Sequence, residues 1–436
     1  MRILLASSSF HGGGITSYAL ELINCYAADN EFYLMIKDTN GFVDEKAFPN
    51  IIHEDMNDLS ATNADNVAHI INKLNPDVLI VSFARVVGLI LPFLNNNIRI
   101  ITVSHSLRYD EADMAAMNAP YTDRIIALSR YNMVYLRDKF GIKEDNKIQV
   151  VYNCIKPTTE RPSVEEKKAL THEPVIVFAG GGAPTKSPEL VHSVLMDLLK
   201  TPAKFRFYWL GNTNPPLKKM QFLKKIEQLV PDDPRVTFTG KIPRSEATAI
   251  LNRANIILIP SRREGCPMTL IEAMSAGVIV VTSDYENGCR EIVESAKCGK
   301  ILPHRNTKEF TQTILDIISH PTAYDYCYDA AKEYFEKKLS YAAWRNEMDK
   351  LLFGTDTQHQ TRISFSSVKY VNILVRWKIC SFFNAIHMLL VETFPSALSF
   401  FNRNMHYKHG RHYSFYCSVK TNNSNKPSVD ENSTHI

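Results

Sequence analysis

The stretch Pro260-Ser261-Arg262-Arg263-Glu264-Gly265-Cys266-Pro267-Met268-Thr269-Leu270-Ile271-Glu272 sets two carboxylates eight positions apart around a glycine and a proline. An apolar strand ends at Pro260, a loop carries Glu264 and Gly265, and Pro267 suits the first turn of the helix that follows. Such a helix start presents backbone N–H groups and a partial positive charge, which favours an anion. Gly265 lets that anion approach the backbone closely. Glu264 in the loop and Glu272 about a turn into the helix can both face a ligand, one at each side of a diphosphate. The competing reading is a helix whose first turn attracts acids through its dipole alone. Gly12-Gly13-Gly14 follows the first apolar run and opens another helix, so it is either a phosphate-facing loop or only a tight turn. No residue stands out as a covalent nucleophile. No Asp-x-Asp follows an apolar strand, so no metal ligands are assigned and turnover is expected to survive chelation.

These residues need a scaffold, and the chain supplies one twice. Apolar runs at Ile3–Ser7, Phe32–Ile36, Val78–Phe83, Ile98–Val103, Arg124–Leu128 and Ile148–Tyr152 alternate with helix-period segments such as Ile15–Ala28 and Asn63–Leu74. The runs lack strict polar alternation, as expected of strands covered on both faces. Residues 156–173 are polar and carry two prolines, the composition of a linker. The pattern then restarts at Val175–Ala179, Phe205–Leu210, Val236–Thr239, Ile256–Pro260 and Val278–Thr282. Residues 328–353 read as one long amphipathic helix closing the second unit. Strand–helix alternation implies right-handed βαβ units and doubly wound parallel sheets, with ligands bound beyond the strand C-termini. The expected division is 1–155, a linker at 156–173, 174–354, and an extension from 355 to 436.

The 436 residues suffice for two cores. The net charge of +4 conceals an asymmetry: residues 369–420 hold seven Lys/Arg against the single acid Glu392, so that segment is +6 and the remainder −2. This basic-aromatic segment is read either as an interfacial helix holding the protein near anionic lipid, or as a helical extension packed on the body, or as a partly disordered tail. No nucleic-acid-binding motif accompanies it, so no nucleic-acid partner is expected. The eight cysteines are scattered without a C-x-x-C pair, which fits a reducing compartment better than a disulfide framework. The N-terminus lacks the apolar run of a signal peptide, and no apolar stretch approaches the roughly 18–20 residues of a spanning helix. The expected location is cytoplasmic, with the tail as a candidate contact to the inner face of the membrane.

The Pro260–Gly277 stretch closely resembles the E-x7-E signature of family 4 glycosyltransferases, retaining enzymes of the GT-B fold. The resemblance continues through Phe238-Thr239-Gly240 upstream and Gly288-Cys289-Arg290-Glu291 and Gly299 downstream, covering about 175–350, with a looser match over 1–155. It implies two Rossmann-like domains facing across a donor-binding cleft. By the family pattern, Glu264 holds hydroxyls of the donor sugar and Glu272 accepts from the ribose hydroxyls. The Cys266, Pro267, Met268 and Thr269 backbone meets the diphosphate, Gly240 and Lys241 lie beside the base, and His105 lines the cleft near the sugar. Within Phe178-Ala179-Gly180-Gly181-Gly182-Ala183-Pro184-Thr185-Lys186, Lys186 matches a family lysine that neutralises the diphosphate. The family's usual Arg, however, is replaced by Gly181, and Arg262, Arg263 and Lys241 are the candidates to compensate.

The activity so implied is transfer of a sugar from a nucleotide-diphosphate sugar to a hydroxyl of a saccharide or lipid-linked saccharide acceptor, in cell-surface polysaccharide or glycolipid synthesis, without a cofactor. Front-face attack by the acceptor accounts for the retained stereochemistry. Two other readings remain open at this point. A nucleotide-sugar 2-epimerase would use the same fold and donor without an acceptor, and a non-catalytic sugar-nucleotide-binding protein would account for Gly181.

Overall fold

The computed structural model describes residues 1–144, 146–156, 162–169, 173–213, 226–304, 306–354 and 359–379. Two wholly parallel sheets organise them. The first comprises β1 (Arg2–Ser7), β2 (Glu31–Ile36), β3 (Ile51–His53), β4 (Val78–Ser82), β5 (Arg99–Ser104), β6 (Arg124–Ala127) and β7 (Ile148–Val150), in the order β3-β2-β1-β4-β5-β6-β7. The second comprises β8 (Val175–Phe178), β9 (Arg206–Leu210), β10 (Val236–Gly240), β11 (Ile256–Ile259), β12 (Ile279–Ser283) and β13 (Gly299–Leu302), in the order β10-β9-β8-β11-β12-β13. Both are doubly wound, with the strand order reversing between β1 and β4 and between β8 and β11. Open α/β sheets bind ligands beyond the strand C-termini at such points.

The apolar strand runs are explained by burial on both faces. Along β1, Ile3 and Leu5 join one core cluster while Leu4 and Ala6 join another, and every residue of β4 and β12 is buried. Strands with two covered faces have no reason to alternate. The strands β3 and β13 are not among those expected; both lie at a sheet edge and are mostly only partly buried, so neither carries the apolar run of the inner strands.

Two segments differ from expectation, and a third takes one of the readings left open. The predicted single helix over 328–353 is instead a helix Asp325–Tyr334, a π turn Phe335–Leu339 and a second helix Tyr341–Leu352, with Ser340 capping the latter by accepting from Ala343 N. That last helix does not stay with the second sheet. It packs on the first domain, where the Tyr26 hydroxyl donates to Asp349 at 2.7 Å and Arg99 Nε donates to the Leu351 carbonyl at 2.7 Å. Within the polar 156–173 stretch, Val164–Ala169 is helical, and the Lys167 ammonium is buried against the carbonyls of Leu251 and Ala254. Burial pushes that ammonium down to about 7.

The third segment is the start of the basic-aromatic extension. Residues 359–379 pack on the first domain: the Arg362 guanidinium donates to the carbonyls of Asn95, Ile98 and Tyr121, and His359 Nδ1 lies 2.8 Å from Asp123. The rest of the 369–420 segment, and the tail beyond it, lie outside the described residues.

Candidate active site

The two loops with the most distinctive sequences emerge side by side. β8 and β11 are neighbours, so the turn after β8 (Ala179–Lys186) and the loop after β11 (Pro260–Pro267) leave the sheet at its switch point. The Arg262 N–H donates to the Thr185 carbonyl at 2.8 Å and ties them together. At the junction, Lys186 and Glu264 form an ion pair in which both side chains are largely buried. The helix Met268–Ser275 starts at Pro267, which stands at its N-cap and not within the first turn; no side chain caps this helix. One turn in, Glu272 pairs with Arg244 at 3.2 Å, and burial raises the Glu272 carboxyl while Arg244 opposes the shift.

A cavity of about 520 Å³ joins these parts. Its lining includes Gly180, Gly181, Gly182 and Lys186 from the first turn, Gly240 and Lys241 at the end of β10, and Thr269 and Glu272 from the helix. That volume falls within the usual size of a small-molecule site. The positive groups beside it differ in availability. Arg262 pairs with Glu189 and donates to the Ser187 hydroxyl, whereas Lys241 is exposed on the cavity wall. Gly12, Gly13 and Gly14 are not in this lining. They form the turn after β1, with Gly12 and Gly13 at φ 84° and 83° and the Gly12 N–H donating to Thr16 Oγ1 at 3.1 Å.

The structure gives Gly181 a definite reason. The turn folds onto the end of β9: Gly181 N–H donates to the Leu210 carbonyl at 3.0 Å, Gly182 N–H to the Asn212 carbonyl at 2.8 Å, and Trp209 Nε1 to the Gly181 carbonyl at 3.1 Å. At φ 52°, a Cβ on residue 181 would stand 2.6 Å from the Asn212 carbonyl oxygen. The position where the family carries Arg is closed to any side chain.

Gly265 also has a role that sequence reasoning misplaced. The space a side chain would occupy there is filled by the His105 carbonyl, 2.3 Å from an ideal Cβ, and not by open ligand space. Gly288 is tighter still, since its Cβ would meet the Gly265 carbonyl oxygen at 1.5 Å. The Glu264–Pro267 loop is thus held between the helix Gly288–Ala296 and the first domain, and Asn153 Nδ2 donates to the Cys266 carbonyl at 2.7 Å. Because loops after β5 and β11 touch, the C-terminal ends of the two sheets face one another.

His105 lies on the first-domain side of that contact. Its Nε2 is 2.8 Å from Ser82 Oγ at the end of β4, and its ring meets Tyr18 edge-on at 5.1 Å. Burial holds the imidazole down to about 4, so it is neutral at pH 7.

Sequence reasoning missed the groups that join the domains. Glu291 accepts from the Arg130 and Tyr131 N–H groups at 2.8 and 3.2 Å and from the Tyr152 hydroxyl at 2.5 Å, capping the first-domain helix Arg130–Phe140 from the second domain. Arg244 reaches Glu21 of the first domain at 3.4 Å while holding Glu272. The available signal was Glu21 itself, a charged residue on the buried face of the helix Gly14–Tyr26.

Paired Rossmann-like domains meeting at their strand C-termini, with a Gly-rich turn and an uncapped helix start on one side, make up the GT-B fold. Residues 12–159 match Glycosyltransferase Family 4, and residues 173–320 match Glycosyl transferases group 1. The chain belongs to the family 4 glycosyltransferases. An uncharacterized glycosyltransferase of Methanocaldococcus jannaschii is 22% identical over 367 residues, spanning 78% of this chain and 95% of its own length. A putative colanic acid biosynthesis glycosyltransferase of Escherichia coli is 34% identical over 116 residues, 25% of this chain and 27% of that protein. Among solved structures, Anabaena HepE in complex with UDP superimposes with a TM-score of 0.67 at 14% identity, covering 81% of this chain and all of that one. These matches favour sugar transfer over the epimerase and non-catalytic readings.

Proposed function

We propose that this protein is a retaining, metal-independent hexosyltransferase. Its donor is a nucleoside-diphosphate sugar, and its acceptor is a hydroxyl of a lipid-linked saccharide in cell-surface polysaccharide or glycolipid assembly. The observation that carries the reading is the cavity lined by Gly180, Gly181, Lys241, Glu272 and Lys186, the last paired with Glu264. One relative supports this acceptor class, an N-acetylgalactosaminyltransferase of Campylobacter jejuni named for a diphospho-undecaprenol acceptor.

The chemistry follows from charge development. The bond from the anomeric carbon to the diphosphate oxygen breaks with its electron pair on the diphosphate, the acceptor oxygen bonds to the same face, and its proton leaves toward the departing phosphate. Lys186 and Glu264 neutralise each other in their ion pair. A bound donor separates them: Lys186 turns to the diphosphate and Glu264 accepts from sugar hydroxyls, beside Gly265 and the first-turn amides of Met268 and Thr269. Glu272 exchanges Arg244 for the ribose hydroxyls. Lys241 is the group best placed to supply the charge that residue 181 does not carry. His105, neutral and fixed by Ser82, orients the sugar from the first domain, where Gly12, Gly13 and Gly14 face the phosphates.

The test is thermal stabilisation by UDP-, GDP-, ADP- and dTDP-linked sugars, on wild type and Glu272→Ala. One donor that raises the midpoint of wild type but not of the variant supports the site and names the base. No shift with any donor would overturn the reading.

A further inference from the structure

Ten large hydrophobic side chains are markedly exposed among the described residues, and four of them lie on one short helix: Val368 at 72%, Val371 at 44%, Val375 at 48% and Ile379 at 49%. The helix spans residues 367–379. Its other face is docked on the first domain, with Tyr370 and Trp377 buried, the Tyr370 hydroxyl donating to the Leu59 carbonyl at 3.1 Å, and Trp377 Nε1 donating to Asp113 at 2.5 Å. A helix needing only to cover the domain would be polar on its outer side. This one is apolar on both.

The outer face is ordered, not merely greasy. At about 100° per residue, the four exposed aliphatics fall within an arc of roughly 80°, opposite the docked Tyr370 and Trp377. The exposed Lys378 lies at one edge of that arc, and Lys369 and Arg376 lie beyond the other. No Asp or Glu occurs between 367 and 379, and residues 380–420 add Arg403, Lys408, Arg411 and Lys420 against Glu392 alone. A narrow aliphatic stripe with cations on both sides and no acids matches a bilayer interface carrying anionic headgroups: the stripe enters the acyl boundary while the cations reach phosphates. A protein partner would not require cations on both edges.

The placement of the helix adds direction. The extension begins beside the N-terminal end of β5, where Arg362 meets the Ile98 carbonyl, and runs toward the opposite rim. There Trp377 lies against Asp113 and 5.9 Å below the Arg85 guanidinium. Arg85 follows the C-terminal end of β4 and Asp113 that of β5, the rim that also carries His105. We propose that the helix 367–379 lies in the surface of an anionic membrane through Val368, Val371, Val375 and Ile379, presenting the His105 rim of the first domain to acceptors carried in that membrane. Its purpose rests on the lipid-linked acceptor reading, but the contact itself is tested without any acceptor.

The experiment is vesicle flotation of the full chain with phosphatidylcholine alone and with added phosphatidylglycerol, at low and high salt. Wild type is expected to float with the anionic vesicles, less so in high salt, and to stay behind with the neutral ones. Val371→Asn/Val375→Asn/Ile379→Asn should lower anionic partitioning about tenfold or more, and Lys369→Gln/Arg376→Gln/Lys378→Gln on the order of a hundredfold. Either variant floating like wild type would overturn the proposal, as would failure of wild type to float. So would a wild type that self-associates without vesicles while the aliphatic variant is monomeric, since the face would then be a protein contact. Donor-induced thermal stabilisation, measured on the same preparations, should be equal in all three. Its absence in wild type would fail the transferase reading without touching the flotation result.

Discussion

Gly181→Arg restores the side chain that the family usually carries at this position, and the structure sets the expected outcome against that logic. A residue with a Cβ at φ 52° costs about 1–2 kcal/mol relative to glycine. The new Cβ would stand 2.6 Å from the Asn212 carbonyl oxygen, so the 180–182 turn has to lift away from the end of β9. Three hydrogen bonds hold that contact: Gly181 to Leu210, Gly182 to Asn212, and Trp209 to Gly181. Each is worth about 1 kcal/mol net. Losing one or two of them brings the total to about 2–4 kcal/mol. At roughly 2–4 °C per kcal/mol for a domain of this size, the melting midpoint should fall by about 5–15 °C. Gly181→Ala should lose nearly as much, because the Cβ and the backbone angle carry the cost. The assay is thermal melting of wild type and both variants, with and without the stabilising sugar nucleotide. An arginine variant as stable as wild type that binds donor a decade more tightly would refute the reasoning. Such a gain is what a new charge-assisted contact supplies, and it would show that the turn is free to reopen.

Three further outcomes follow from the same geometry. Lys186→Ala should weaken donor binding by about one to two decades, the worth of a charge-assisted contact, while the fold survives; donor titration by calorimetry decides it. Glu291→Ala removes the acceptor for the Arg130 and Tyr131 N–H groups and should cost about 1–2 kcal/mol, read as a shift in the urea midpoint; an unchanged midpoint would mean that this interdomain cap contributes nothing. His105 is held down to about 4 against its ordinary 6.5, so the folded state binds fewer protons than the unfolded state between these values. Its contribution to stability is therefore present above about 6.5 and is lost as pH falls toward 4, by up to about 3 kcal/mol. Wild type should lose more stability than His105→Gln across that window, and parallel curves would count against a buried neutral imidazole.

Much of this protein is written locally. The two cycles of strand and helix, the loop-to-helix passage at Glu264–Glu272 and the glycine turns after β1 and β8 all follow from period, turn chemistry and short spacing. These are interactions within a few residues. The edge strand Ile51–His53 escapes because it is only partly buried and ends on an exposed histidine, with no apolar run to mark it. The break at Ser340 was within reach, since a serine three residues before Ala343 can cap a new helix, but continuous amphipathicity on both sides hid it. What only the tertiary structure decided is who meets whom. Glu291 caps a helix 161 residues away, and Asn153 holds a carbonyl 113 residues away. A sequence shows that a group is poised for burial, not which surface buries it. Gly265 illustrates the limit: local chemistry explains a glycine by a ligand's approach, whereas the fold places the His105 carbonyl there. Likewise, the pattern of 367–379 shows aliphatics all round, but only the docking of Tyr370 and Trp377 separates the face turned to the domain from the face left for a partner.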